Sequence, residues 1–358
     1  MAANNDIGIH RKKYPRFVEI AALAGVSTST VDRVLNERES VSERARSKVV
    51  AAAKQLGVPR ILPSSRHGLT HLDILLPDTN SPFFRRLNVA LQRSIDMLDK
   101  RIVVHRSFLA EHKNDVIAAS ILRPPYRRQG LILSAPDTEP VRDALRTITA
   151  KGETVVAVVT NIKEVPGLKY AGIDNYRAGR TAGYFIGHLA KNAGRVVILS
   201  ARTDYQAHVD RVAGCRDVLR KFEPRLKCDT RTIETYDDPD RCYLAIAGIL
   251  RSGEPVAGIY NSGAGSSGIE GALRKYNAAG TICWITHEMS DDHRHYLQQG
   301  VLDMVIDQDP DGQIITALQH LLHGCRVLEN DPPANEPSEF RLYFAENLRA
   351  TPYLSEPR

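Results

Sequence analysis

The chain has 358 residues, 48 Lys and Arg against 42 Asp and Glu, and an apolar content of 42%, which suits a soluble protein of two or three domains. Cys215, Cys228, Cys242, Cys283 and Cys325 are odd in number and contain no CxxC pair, which suggests neither a disulfide framework nor a zinc site. No apolar run reaches the roughly 18 residues of a membrane helix, and no apolar signal core opens the chain, so the cytoplasm is the expected compartment. The charge of +6 is concentrated: residues 1–66 hold 12 Lys and Arg against 6 Asp and Glu, the remainder 36 against 36, and a polyanion is expected to bind at one end only.

Residues 1–16 carry Arg11, Lys12, Lys13 and Arg16 in a polar setting, a flexible arm that either touches DNA backbone or solubilises. A first helix is expected over Phe17–Ala24, with Val18, Ala21, Ala22 and Leu23 on its apolar face. Gly25 stops it, Val26 turns inward, and Ser27 caps a second helix, Thr28–Leu35. There Val31, Val34 and Leu35 face a core, so Thr28, Ser29, Asp32 and Arg33 point outward near the N-terminal end. A third helix follows Ser42, with Val49, Val50, Ala53 and Leu56 buried, and ends at Gly57. Residues 58–70, rich in Pro, Ser and Gly, read as a linker.

The run IAALAGVSTSTVDRVLN resembles the DNA-binding head of the lactose-repressor (LacI/GalR) family, and SVSERARSKVVAAAKQLG resembles its third helix. The resemblance implies a helix-turn-helix domain over 17–57 that places its second helix in the major groove of a palindromic operator, as a homodimer. Thr28, Ser29 and Arg33 would read base edges, and Ser27, Thr30 and Asn36 would contact phosphates. In that family the linker becomes a hinge helix that wedges a Leu into the minor groove. Leu62 is the candidate here, although this linker is short and holds Pro63. Asp32 stands where the family has a small Ser; it would pair with Arg33 or Arg16, or accept from a cytosine amino group.

Beyond the linker, short apolar runs alternate with helical stretches: LDILLP, RIVVH, GLILS and ETVVAVV, then RVVILS, a weaker run near 230–235, VAGIYN, TICWIT and DMVIDQDP. Two such sets imply two doubly wound parallel sheets. The phrases DTNSPFF, GIDNYRAGRTAGYFIG, HVDRVAGCRDVL, IYNSGAGSSGI, ITHEMS and VIDQDPDGQ resemble the two-lobed type I periplasmic-binding-protein fold, the effector domain of lactose-repressor relatives. An effector-binding domain is thus expected over 71–348. The first lobe would hold about 71–172 plus 304–325, the second about 173–303 plus 338–348, and 349–358 would form a tail.

Ligands of such sheets sit at the carboxyl ends of the strands. The candidates there are Phe83 and Phe84, either stacked on a ligand ring or in the core, with Asn161, Asp174, Asn261, Glu288 and Gln308. Arg211 follows a strand at the spacing that, in the family, brings a guanidinium to hydroxyls or a carboxylate; Tyr205 and His208 share its loop. Glu288 stands where many relatives have Asp, and Gly263 where many have an acid. The expected effector is a sugar, polyol or sugar acid, with neither cofactor nor metal. One rival exists: Gly263, Gly265 and Gly268 spell GxGxxG after a strand, with an acid 20 residues beyond Gly268, as in an NAD site. No catalytic acid, base or nucleophile constellation accompanies it, so no enzyme is expected.

Overall fold

The computed structural model describes residues 17–36, 41–56, 58, 69–330, 332 and 334–353. The basic arm, Leu62 with most of the linker, and the last five residues lie outside them. Two units result, one ending at Leu69 and one beginning at Thr70.

The head has three helices, α1 (Phe17–Ala24), α2 (Thr28–Leu35) and α3 (Glu43–Gln55). Ser27 Oγ accepts from Thr30 N at 3.1 Å and Ser42 Oγ from Ala45 N at 3.3 Å, so both later helices start on a hydroxyl cap. Val31, Val34, Leu35, Val49, Val50 and Ala53 form the core with Ile20, Ala21 and Ala24 of α1, and Val26 packs against it from the turn. The buried face of α1 is therefore not the one expected, because Val18 and Leu23 stay exposed. Seven of its eight residues are apolar, so periodicity leaves the face open and contact with α2 and α3 selects it.

In the second unit, β1 (Thr70–Pro77), β2 (Ile102–Leu109), β3 (Gly130–Leu133), β4 (Thr154–Val158) and β5 (Lys169–Ala171) form a parallel sheet in the order β2-β1-β3-β4-β5. Its helices are α4 (Pro82–Asp96), α5 (Asn114–Leu122) and α6 (Glu139–Ala150). The chain then crosses into α7 (Asn175–Leu189), β6 (Gly194–Ser200), α8 (Gln206–Leu219), β7 (Leu226–Cys228), β8 (Ile233–Glu234), α9 (Pro239–Arg251), β9 (Val256–Asn261), α10 (Ser266–Lys275), β10 (Cys283–His287), α11 (Asp291–Gln298) and β11 (Met304–Asp307). Finally α12 (Pro310–Gly324) packs on β4 and α4 of the first lobe, and β12 (Arg341–Tyr343) returns to the second. The second sheet runs β12-β11-β10-β9-β6-β7, with β8 on β6 and only β12 antiparallel.

Two expected boundaries shift. Residues 304–307 pair with β10 and belong to the second sheet, so the crossing falls after Asp307 and only α12 joins the first lobe. The expected tail is docked as far as Tyr353, which is buried in the second lobe's core and donates its N–H to Asp291 Oδ1 at 3.1 Å.

Helices α7 and α8 approach closely, and their packing carries the fold's main consequence for the site. A Cβ on Gly179 would lie 1.9 Å from the Arg211 carbonyl oxygen, and one on Gly214 2.1 Å from that of Tyr176. Backbone meets backbone there, which fixes the height of Arg211. Gly179→Ala is expected to cost about 1–3 kcal/mol in chemical denaturation by overpacking; an unchanged midpoint would show that α8 is not held in this way.

Candidate functional site: a helix face and an interlobe cleft

On the head, Thr28, Ser29 and Arg33 are exposed together on one face of α2, with Ser27 at its N-terminus and Asn36 at its C-cap. The Ser27 hydroxyl lies 3.0 Å from Ser29 Oγ and 2.8 Å from that of the half-buried Thr30, so the three are positioned as a group. Asp32 accepts from Asn36 Nδ2 at 2.7 Å; Arg16, one of the partners expected for it, lies outside the described residues.

In the second unit a cavity of about 400 Å³ opens between the lobes at the carboxyl ends of their strands. The first lobe contributes the loop after β1 through Phe84, and Val159. Phe83 is largely buried in that lobe's core, and its ring meets Phe84 edge-on at 5.4 Å. The second lobe contributes His208 and Arg211 from α8, Tyr236 and Asp237 after β8, residues 262–267 after β9, and His287 and Glu288 at the end of β10; Gln308 follows β11.

Arg211 is buried, at 3% exposure. Its Nε donates to Asn175 Oδ1 at 2.8 Å and Nη1 to the Ser262 carbonyl at 2.8 Å, whereas Nη2 has no hydrogen-bond partner among the described residues. A buried guanidinium with an unused donor on a cavity wall is poised for a ligand acceptor. His208 bonds Ser262 Oγ at 3.2 Å, and burial together with the Arg211 charge pushes its pKa down to about 3, so the ring is neutral. His287 is likewise held neutral by burial; its Nε2 pairs with Tyr260 OH at 2.7 Å and its Nδ1 has no partner among the described residues.

Glu288 sits at φ 66, a conformation rare for a residue with a side chain. Gln308 Nε2 donates to its carboxylate, and Gln313 Nε2 holds the Gln308 carbonyl at 3.0 Å. Burial, then the charge of Asp307, raise Glu288 to about 7. Across the lobes, Arg86 of α4 pairs with buried Asp307 and donates to the Met289 carbonyl at 2.9 Å. Ala207 N also reaches Thr160 Oγ1 at 3.1 Å, and Asp137 N reaches the Asp204 carbonyl at 2.8 Å.

Three expected residues lie elsewhere. Asn161 is exposed and its Oδ1 accepts from Ile162 N at 2.9 Å; Val159, at φ 69, takes its place in the wall. Asp174 caps α7 by accepting from Arg177 N at 2.9 Å, away from the cavity. Asn261 is fully buried, and its amide holds the Gly263 and Ala264 carbonyls at 3.1 and 2.8 Å. Tyr205 lines a smaller recess beside the main cavity. The sequence reading missed Asp237, whose Oδ1 accepts from Ala264 N at 2.6 Å and whose pKa burial raises to about 6. It also missed His287, Ser262 and His293. The glycine-rich loop does not suit a pyrophosphate, since the Gly263 and Ala264 amides already bond Asn261 Oδ1 and Asp237 Oδ1 and a carboxylate faces the space a dianion would need.

Comparison with known proteins agrees with both halves. The family described as "Periplasmic binding protein domain" matches residues 72–323, and that described as "Bacterial regulatory proteins, lacI family" matches residues 17–58. The chain belongs to the lacI family of DNA-binding regulators, with a periplasmic-binding-protein domain behind its helix-turn-helix head. It is 26% identical to catabolite control protein A of Staphylococcus xylosus over 64% of this chain and 69% of that protein. It is 26% identical to the HTH-type transcriptional regulator GntR of Pseudomonas aeruginosa over 62% and 64%. A shorter stretch is 40% identical to the ribose operon repressor of Escherichia coli, over 21% of this chain and 24% of that one. In fold it is similar to a solute-binding protein of Burkholderia graminis in complex with D-arabinose (TM-score 0.69, 20% identity, 80% of this chain and 99% of that one). The glucose-galactose binding protein GanP of Geobacillus stearothermophilus also matches (0.69, 17%, 79% and 99%). Among the described residues no helix is long and apolar enough to cross a membrane.

Burial raises Glu288 in the folded chain to about 7 from its ordinary value of 4.5, so the folded state binds the extra proton between those limits. Its destabilising contribution is absent below about 4.5 and grows as pH rises to 7. Glu288→Gln is therefore expected to match wild-type stability at low pH and to exceed it increasingly toward neutrality, read from denaturation midpoints across pH. A gap independent of pH would remove Glu288 as its source.

Proposed function

We propose that this protein is a cytoplasmic homodimeric repressor that binds a palindromic operator through α2 of each head and responds to a small hydroxyl-rich effector held between the lobes. The observation that carries the effector half is the buried Arg211, fixed on two sides with its Nη2 donors unspent at the cavity wall. Phe83 and Phe84 offer ring faces and edges, Glu288 and Gln308 offer acceptors and donors, and a cavity of about 400 Å³ matches a monosaccharide-sized guest. The operator half rests on the exposed Thr28, Ser29 and Arg33 and on the basic charge of residues 1–66. One head touches too few bases to locate an operator, and two on a two-fold axis read two half-sites. Leu62 remains the candidate wedge in the minor groove. Its similarity to regulators that include a ribose operon repressor supports control of a carbohydrate operon. Effector binding would change lobe closure and thereby the spacing of the heads in the dimer.

The test is a thermal-shift screen of sugars, polyols, sugar acids and purines on wild type and Arg211→Ala. At least one compound is expected to raise the wild-type midpoint, by linkage worth about 2.7 kcal/mol at a hundred times its Kd, and to leave the variant unmoved. A compound that shifts both equally would place the effector site elsewhere.

A further inference from the structure

Gly263 leaves one position of the cavity wall without a side chain, and the structure shows what occupies that space. A Cβ built on Gly263 would lie 2.5 Å from Asp237 Oδ1. Asp237 comes from a different loop, between β8 and α9, where it and Tyr236 both adopt positive φ, 60 and 56. Two adjacent residues in this rare conformation lift the carboxylate over the β9 loop, where Ala264 N fixes it. Resting on the reading of the cleft as an effector site, we infer that Asp237 supplies from the β8–α9 loop the carboxylate that position 263 lacks, and that with Glu288 it restricts the effector to a polyhydroxylated molecule carrying no anionic group.

The charge of the wall supports this. Asp237, Glu288 and Asp292 line the cavity against Arg211, while the charge of nearby Arg86 is taken by Asp307. Arg211 lies within electrostatic reach of both Asp237 and Glu288 and lowers the pKa of each, though less than burial raises it. Hydroxyl groups satisfy this arrangement from both sides: they donate to the two carboxylates and accept from Arg211 Nη2, which with His287 Nδ1 is a buried polar atom on this wall without a protein partner among the described residues. A ligand carboxylate could use Arg211, but it would face two acids already stripped of water.

Isothermal titration calorimetry at about pH 8.5, where both wall acids are ionised, with D-glucose, myo-inositol, D-glucosamine, D-gluconate and D-glucuronate on wild type, Asp237→Asn and Arg211→Ala, tests the inference. Neutral or amine-bearing compounds are expected to bind wild type at least ten-fold more tightly than the acids. Asn keeps the Oδ1 acceptor for Ala264 N, so Asp237→Asn retains the loop while removing the charge; it is expected to weaken the neutral ligand about ten-fold and to narrow its lead over the acids. Gly263→Ala, which drives the carboxylate off its seat, should repeat the loss. An acid that binds wild type more tightly than its neutral parent, and fails on Arg211→Ala, would overturn this inference while leaving the effector site intact. Silence from the whole panel, with no compound altering operator binding, would sink the effector reading and this inference with it.

Discussion

Burying a guanidinium is costly unless its donors are met, and the second unit is arranged around that requirement. Asn175 opens α7 just after the first crossing between lobes, Ser262 follows β9, and Arg211 lies on α8; the bonds Arg211 makes to the other two tie three separate parts of the second lobe together. The tight α7–α8 approach at Gly179 and Gly214 sets the position from which Arg211 reaches both. Asn175 Nδ2 also donates to Tyr170 OH at 3.1 Å, on the first-lobe side of the crossing. The group offered to a ligand is thus wired to the segment that joins the lobes.

A second layer of polar contacts links the lobes at the cavity rim. Arg86 lies on α4 within a turn of Phe83 and Phe84, and it pairs with Asp307, which adjoins Gln308, the partner of Glu288. A ligand drawing charge onto Glu288 would change the field at Asp307 and so at Arg86, because the carboxylates of Glu288 and Asp307 repel one another. The cavity wall and the lobe contact therefore share one electrostatic network. Such sharing is what a closing cleft needs if occupancy is to alter shape.

Much of this was legible in the sequence, for identifiable reasons. Strands buried on both faces are continuous apolar runs, so β6 and β9 stand within one residue of where RVVILS and VAGIYN put them. The helices of the head announce themselves by capping Ser27 and Ser42. Arg211, Glu288 and Gln308 were found because strand ends point at the cleft, but the same rule misplaced Asn161 and Asn261, since an Asn at a strand end can equally bond its own loop. Asp237 was missed because β8 is only two residues long and no apolar run flags it; its aim depends on two positive φ values that composition does not reveal. The face of α1 was misread because excess apolar residues erase the periodic signal.

On this proposal the cleft and the helix face of the head are energetically coupled. The direct measurement is a closed cycle: operator affinity with and without saturating effector, and effector affinity with and without operator, by anisotropy and calorimetry at one salt concentration. The two factors are predicted to be equal and of the order of 5- to 150-fold, and to collapse to one in Arg211→Ala while its operator affinity without effector persists. An effector that binds the cleft and leaves operator affinity unchanged would contradict the account.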